Sequence, residues 1–400
     1  MLKKVILPNG LKIIFLKTPG KAVTIQCTVF SGSNAEEKKQ AGISHFLEHM
    51  LFEGTTAKPD AQIISNEIER LGGEFNASTE NEYVSYYVTL QNKHMRIALD
   101  VIADIYKNTL IAPEKVEKER KVIMEEVKMI DDNPRSYQMI LFEKNIFSKH
   151  PLKNPIYGNI EVLKKITRDE LFNYYKKLYV PNNTLITVVG NVPDPTLLIK
   201  QHFKALLKKK LPAQKVYHEP SPQRKVIRKN GKQKQDYLTL GWRTVSAKHQ
   251  DIFVLDVIAG ILGRGQSGRL FDEIRGKRGL CYNVGVFHNY ISDIGYFAVY
   301  CANQKQNTKK VIKLILEEMK RLQALTVQDL NDAKTYLEGD LVVKAESTQY
   351  IADELTFWEK LTKAEDFNKY IAKIKKVTVN DVKRVAKKYF TSQYTLAILE

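Results

Sequence analysis

The sequence predicts an α+β protein of two homologous domains, each an antiparallel sheet with helices packed on one face. Three observations carry this. The chain has 400 residues, more than one hydrophobic core usually supports. It also repeats itself, because ITRDELFNYYKKLYVPNNTLITVV from Ile166 lies over VTVNDVKRVAKKYFTSQYTLAILE from Val377 without a gap. Finally, each half runs strands first, then helices, then a closing strand.

In the repeat Thr167 meets Thr378, Leu171 meets Val382, Lys176-Lys177 meets Lys387-Lys388, and Thr184-Leu185 meets Thr395-Leu396. Both copies read as a capped amphipathic helix, a turn and a strand. LIAPEKVEKERKVIMEEV from Leu110 and LTVQDLNDAKTYLEGDLV from Leu325 form a second matching pair. TIQCTVFSGS and EYVSYYVTLQ in the first half, and DYLTLGW and GYFAVYCA in the second, alternate as half-buried strands do. The start, MLKKVILPNGLKIIFL, reads as strand, Asn-Gly turn, strand.

The net charge of +18 is uneven. Between His202 and Asp236 stand eleven Lys and Arg against the single acid Glu219, ten of the eighteen net charges. With Pro212, Pro220 and Pro222 nearby, this segment reads as a solvated linker rather than a nucleic-acid site. The expected division is a first domain at 1–207, a basic linker at 208–223 and a second domain at 224–400. No window is apolar enough to span a membrane, and the start lacks a signal peptide's apolar centre. A cytoplasmic protein with no nucleic-acid or membrane partner is expected. Cys27, Cys281 and Cys301, odd in number and widely spaced, read as buried free thiols.

The chemistry is concentrated in HFLEHMLFEGT, residues 45–55. His45 and His49 are one helical turn apart with Glu48 between them, on a helix otherwise built from Ile43, Phe46, Leu47, Met50 and Leu51. Catalytic zinc needs three protein ligands, an open position and a nearby base. One turn supplies two ligands and a base. A helix from Pro113 to about Ile130 has an apolar stripe of Val116, Val122, Ile123, Val127 and Ile130. Glu119 and Glu126, seven apart, fall on that stripe, whereas Glu114, Glu117 and Glu125 lie off it. Buried carboxylates call for a cation. Glu125, adjoining Glu126, is the competing third ligand.

HFLEH is the inverted zinc motif H-x-x-E-H, and a glutamate follows its second histidine after a gap of 76 residues. The chain thus resembles the pitrilysin/insulinase-type (M16) zinc metallopeptidases, most closely their short, processing-peptidase-like branch. The resemblance implies one Zn2+ per chain held by His45, His49 and Glu126. It makes Glu48 the general base toward the zinc-bound water and Glu119 the acid that supports a ligand histidine. The matching positions of the second half hold Ala333 and Asp340, and no histidine pair follows residue 202, so only the first domain is expected to bind metal.

The second half holds GRGQSGRLFDEIRGKRGLCY, Gly263 to Tyr282. Its G-x-G-x-x-G follows a helix-like run rather than a strand, so a dinucleotide site is not expected. By resemblance, Arg275 and Tyr282 match the family's Arg/Tyr pair, which reaches the scissile region from the domain opposite the zinc. From the residues alone, Arg275 reads as a surface ion-pair former and Tyr282 as core. The stretch Asn76-Ala77-Ser78-Thr79 resembles the family's substrate-binding edge strand. Asn76 and Ala77, with Phe46 of the motif helix, are accordingly assigned to substrate. The family's full-length enzymes form a clamshell from two halves of this size. A homodimer is the first expectation, and a heterodimer with a metal-free homologue the alternative. The expected activity is a zinc endopeptidase acting on unfolded or short peptides, with hydroxide generated at zinc by Glu48. The rival is a non-catalytic assembly subunit.

Overall fold

The computed structural model describes residues 2–213, 215–231 and 233–400. Gln214 of the expected linker and Lys232 of the basic run lie outside the described residues. The chain forms two compact units, one of Met1–Met129, Pro155–Val216 and Ala345–Lys360, the other of Ile130–Asn154, Tyr217–Lys344 and Leu361–Glu400. Neither unit is contiguous in sequence, in contrast to the simple division at the linker. Each takes in one helix from the other half.

The first unit holds β1 (Leu2–Ile6), β2 (Lys12–Leu16), β3 (Ala22–Val29), β4 (Glu74–Thr79), β5 (Val84–Gln91) and β6 (Thr184–Gly190), in the order β1-β2-β6-β3-β5-β4. β1 and β2 form the hairpin expected from Asn9-Gly10. Gly10 has φ +88°, and a Cβ there would meet Asn182 Cβ at 2.6 Å, so only glycine fits the turn. The second unit holds β7 (Lys225–Lys229), β8 (Gln235–Thr244), β9 (Cys281–Tyr290), β10 (Gly295–Gln304) and β11 (Thr395–Leu399), in the order β7-β11-β8-β10-β9. Apart from the extra edge strand β1, the two orders are the same. In each sheet the closing strand, β6 or β11, pairs in parallel with β2 or β7 and antiparallel with β3 or β8. The sheets are therefore antiparallel except for one pair each.

The repeat extends to the caps. Thr167 accepts from the backbone N–H of Glu170 and heads Arg168–Leu178, while Thr378 accepts from that of Asp381 and heads Val379–Tyr389, both as complete capping boxes. The helices Pro113–Asp132 and Val327–Lys344 correspond when aligned on their first residues. Buried Val116 then matches buried Leu330, and Glu119 matches Ala333.

Both units are α+β, sheets with helices packed against them as expected, and a further helix covers the opposite face of the sheet. In the first unit Val23, Ile25, Cys27 and Val29 point into the core with Leu47, Met50 and Ile102. The alternate residues Thr24, Gln26 and Thr28 are equally buried, with Ser85 and Thr187 beside them. The helix Thr348–Leu361 covers this polar face through hydroxyls. Thr348 bonds Thr24 at 2.8 Å, and Thr356 bonds Thr187 at 3.2 Å and accepts from Gln26 at 3.3 Å. Pairing removes the cost of burying these groups. In the second unit the helix Pro134–Ile146 plays the corresponding part, packing Phe142 with Tyr296, Ala298 and Ala397, and the helix Asp251–Gly263 packs on β9.

Cys27, Cys281 and Cys301 are buried and free. Among the described residues no helix is long and apolar enough to cross a membrane. Glu219, the only acid of the basic segment, is not solvated. It accepts from the backbone N–H groups of Ser148, Lys149 and His150 at 2.5–3.1 Å and pairs with Arg243 at 3.3 Å, which anchors this end of the segment.

The Pro134 helix also carries Glu143, which receives a 2.7 Å hydrogen bond from the Tyr296 hydroxyl. Burial pushes this carboxyl from its ordinary 4.5 up to about 7, against the opposing effect of the hydrogen bond. An acid whose folded pKa is raised contributes stability below its unfolded pKa and loses it as pH rises through the folded value. Thermal midpoints of wild type and Glu143→Gln should therefore be similar near pH 4.5 and diverge in favour of the variant by pH 8. A difference that does not change with pH would contradict this.

Candidate metal centre

Two helices of the first unit build the centre. The helix Ile43–Phe52 presents Ile43, Phe46, Leu47, Met50 and Leu51 to the core and turns His45, Glu48 and His49 to the other side. Its N-terminus begins at Gly42, which has no side chain to cap it. Glu36 supplies the acceptors instead, taking hydrogen bonds from Gly42 N at 2.7 Å and Ser44 N at 2.9 Å. The Ser44 hydroxyl meets the Tyr174 hydroxyl at 2.9 Å, and the Arg120 guanidinium lies 5.3 Å above the Phe46 ring. At the other end Glu53 pairs with Lys115 and Lys118 of the helix Pro113–Asp132 at 3.5 and 3.3 Å. These contacts fix the register between the two helices.

That register brings one ligand atom each from His45, His49 and Glu126 within 4.8 Å of one another. Glu126 Oε2 lies 3.6 Å from His45 Nε2 and 3.5 Å from His49 Nε2. Ligands about 2.0–2.1 Å from a tetrahedral zinc are roughly 3.3 Å apart, so the two histidine–carboxylate separations lie close to those of a zinc site. The imidazole centroids are 4.9 Å apart at 79° to each other, and both rings turn a nitrogen to the same carboxylate. Glu119, with its side chain only 8% exposed, lies 3.2 Å from His49 Nδ1. It holds the ring so that Nε2 is the nitrogen offered to a metal. His45 Nδ1 is buried without a partner.

Electrostatics point the same way. Burial, aided by the neighbouring His49, pulls His45 down to about 4. Burial also acts to lower His49, but its hydrogen bonds to Glu119 and Glu126 outweigh this and raise it to about 9. The His49 hydrogen bonds in turn hold Glu119 and Glu126 below the usual carboxylate range. The site thus concentrates negative charge beside one imidazole whose charged form burial disfavours and one whose charged form the acids favour. A bound metal ion would compete with protons for the same nitrogens.

Glu48 lies on the same helical turn. Burial raises its carboxyl, an effect the Thr79 hydrogen bond partly offsets. The Thr79 hydroxyl, from the last residue of β4, donates to Glu48 Oε2. β4 is the edge of its sheet, hydrogen-bonded to β5 alone. Asn76 is exposed on it and accepts from the Ala77 N–H at 2.8 Å, while Ala77 packs partly against the core. Glu125, the competing third ligand, is directed to solvent and pairs with Lys128 at 2.6 Å.

Phe46, assigned to substrate by resemblance, does not reach the surface in this structure. It is 0% exposed within the core, because its position on the helix shares the face of Ile43, Leu47 and Met50. Arg275 and Tyr282 lie in the second unit. Tyr282 is 68% exposed at the start of β9 rather than core, and the Arg275 guanidinium lies 4.9 Å from its ring. Thr79 and Glu36 were not marked by the sequence pattern as parts of the centre.

Comparison with known proteins gives the family. Residues 12–160 match the family described as insulinase (peptidase family M16), and residues 165–337 match the M16 inactive domain. The uncharacterized zinc protease YmxG of Bacillus subtilis is 31% identical, covering 100% of this chain and 98% of its own. An uncharacterized zinc protease of Streptomyces coelicolor is 30% identical over 99% of this chain and 89% of its own. Among solved structures, a protease from Helicobacter pylori superposes with a TM-score of 0.92 at 23% identity, covering 100% and 99% of the two chains. An M16 inactive domain from Pseudomonas fluorescens gives 0.89 at 19%, covering 100% and 97%. These two show the shared fold.

The zinc content of purified variants tests the ligand set. Glu126→Ala should lose stoichiometric zinc and Glu125→Ala should keep it, while Glu119→Gln should weaken zinc affinity by about 10–100-fold. Zinc retained in Glu126→Ala but lost in Glu125→Ala would reverse the assignment.

Proposed function

The chain belongs to the M16 (insulinase) peptidase family, and from that membership we propose that it is a zinc-dependent endopeptidase hydrolysing unfolded or short peptides. The observation that carries this reading is the convergence of His45, His49 and Glu126, with Glu48 on the same helical turn. When bound, zinc would supply a Lewis acid for the scissile carbonyl and make water more acidic. Everything else falls to side chains of this chain.

Glu48 would accept the proton of the attacking water and return it to the leaving amine. Its burial suits that exchange, because a raised carboxyl holds a proton more readily than an exposed one. Thr79 orients the carboxylate by donating to Oε2. Glu119 keeps the His49 ring in place. β4 has an unpaired edge, along which an extended peptide would add as a further strand through main-chain hydrogen bonds. Asn76 and Ala77 would be its contacts there. Such binding favours unfolded substrates, since a folded protein seldom offers a free strand. Arg275 and Tyr282 would contact the peptide from the second unit, in a homodimer as the proposed assembly.

Glu48→Gln keeps the shape of the side chain and removes its basicity. The variant should bind zinc as wild type does and lose about 10²–10⁴-fold in peptide turnover. A chelator should abolish wild-type cleavage, and added zinc should restore it. Unchanged turnover by zinc-replete Glu48→Gln would remove Glu48 from the mechanism.

A further inference from the structure

The turn leading into β9 carries an arrangement that the Arg275/Tyr282 pair does not explain. Phe271–Gly276 forms a π-helical turn, a wide and uncommon geometry that often marks functional sites. Acid–base pairs pin it. Buried Glu273 meets Arg278 at 2.7 Å, Lys277 at 3.4 Å and Arg321 at 3.5 Å, and buried Glu318 meets Arg269 at 3.0 Å. Arg275 is held differently. Its guanidinium carbon lies 4.7 Å from the centroid of the Phe271 ring and 4.9 Å from that of Tyr282, both within cation–π range.

We propose that Phe271 is a positioning residue for Arg275, holding its guanidinium in a three-member stack with Tyr282. The proposal rests on the reading of Arg275 and Tyr282 as substrate contacts. Tyr282 is too exposed for core packing to fix its ring, whereas Phe271 is half-buried in the pinned turn. Order passes from the turn to Phe271, then to Arg275, then to Tyr282. A guanidinium held by ring faces keeps its in-plane N–H donors for hydrogen bonds, and those donors are what a peptide carbonyl needs. An ion pair with a carboxylate would occupy them.

The test uses the full chain loaded with zinc and a fluorogenic peptide. Phe271→Leu retains an apolar side chain without a ring and Phe271→Tyr restores the ring, so the pair separates stacking from packing. Phe271→Leu should lower kcat/KM about threefold to thirtyfold, with zinc content and thermal midpoint unchanged, and Phe271→Tyr should stay near wild type. In a double-mutant cycle, Phe271→Leu should add little to Arg275→Ala. Wild-type activity in Phe271→Leu, fully additive losses, or an Arg275→Ala variant with no loss would each overturn the proposal. A readout independent of cleavage is the ring-current shift of the Arg275 side-chain resonance, identified by its absence in Arg275→Ala. It should collapse in Phe271→Leu and persist in Phe271→Tyr, and its persistence in Phe271→Leu would overturn the stack. A wild-type protein that cleaves no peptide but shows this shift pattern would refute the peptidase reading and leave the stack in place.

Discussion

The structure depends on one electrostatic requirement. Two carboxylates, Glu119 and Glu126, lie on the stripe of one helix facing two imidazoles on a single turn of another, and this much partly desolvated negative charge needs a cation. His49, 3.2 Å from Glu119 and 3.5 Å from Glu126, is the side chain these acids act on most directly, and they favour its charged form. The contacts around the centre, from the Glu36 cap at one end of the motif helix to the Glu53 ion pairs at the other, keep the two helices in the register that this requirement imposes. The proposed base would need no further element, because Glu48 is one position before His49 on the same turn.

The duplication explains how the two units share a topology while, among the described residues, the His-His-Glu set occurs in one of them. Corresponding helices carry Glu119 in one copy and Ala333 in the other, a change that leaves the sheet order and the capping boxes intact. Each sheet is completed by a helix from the opposite half of the sequence, and in the first unit that helix adds hydroxyl hydrogen bonds from Thr348 and Thr356 to the burial of Ala352 and Leu355.

Much of this was legible in the sequence, for identifiable reasons. The His-x-x-Glu-His turn and the seven-residue spacing of Glu119 and Glu126 are local periodicities, and helices preserve local periodicity in space. The same argument distinguished Glu126 from Glu125. The burial of Phe46 was also readable, since it shares the stripe of Ile43, Leu47 and Met50. The covered polar face was not readable. Thr24, Gln26 and Thr28 alternate with apolar residues as a solvated face does, and only a helix more than three hundred positions later shows otherwise. Glu36 and Thr79 failed for the same reason. One looks like an acid in a polar loop and the other like the end of an edge strand, and each gains its role through a fold-dependent contact with the motif helix.

The central claim is that the two helices present two imidazoles and a carboxylate to a single zinc ion. Zinc K-edge X-ray absorption on zinc-loaded protein tests this most directly. The account predicts a shell of nitrogen and oxygen at about 2.0–2.1 Å with the outer scattering of two imidazole rings. Sulfur scattering at about 2.3 Å, or a shell without imidazole, would place the metal elsewhere and contradict it.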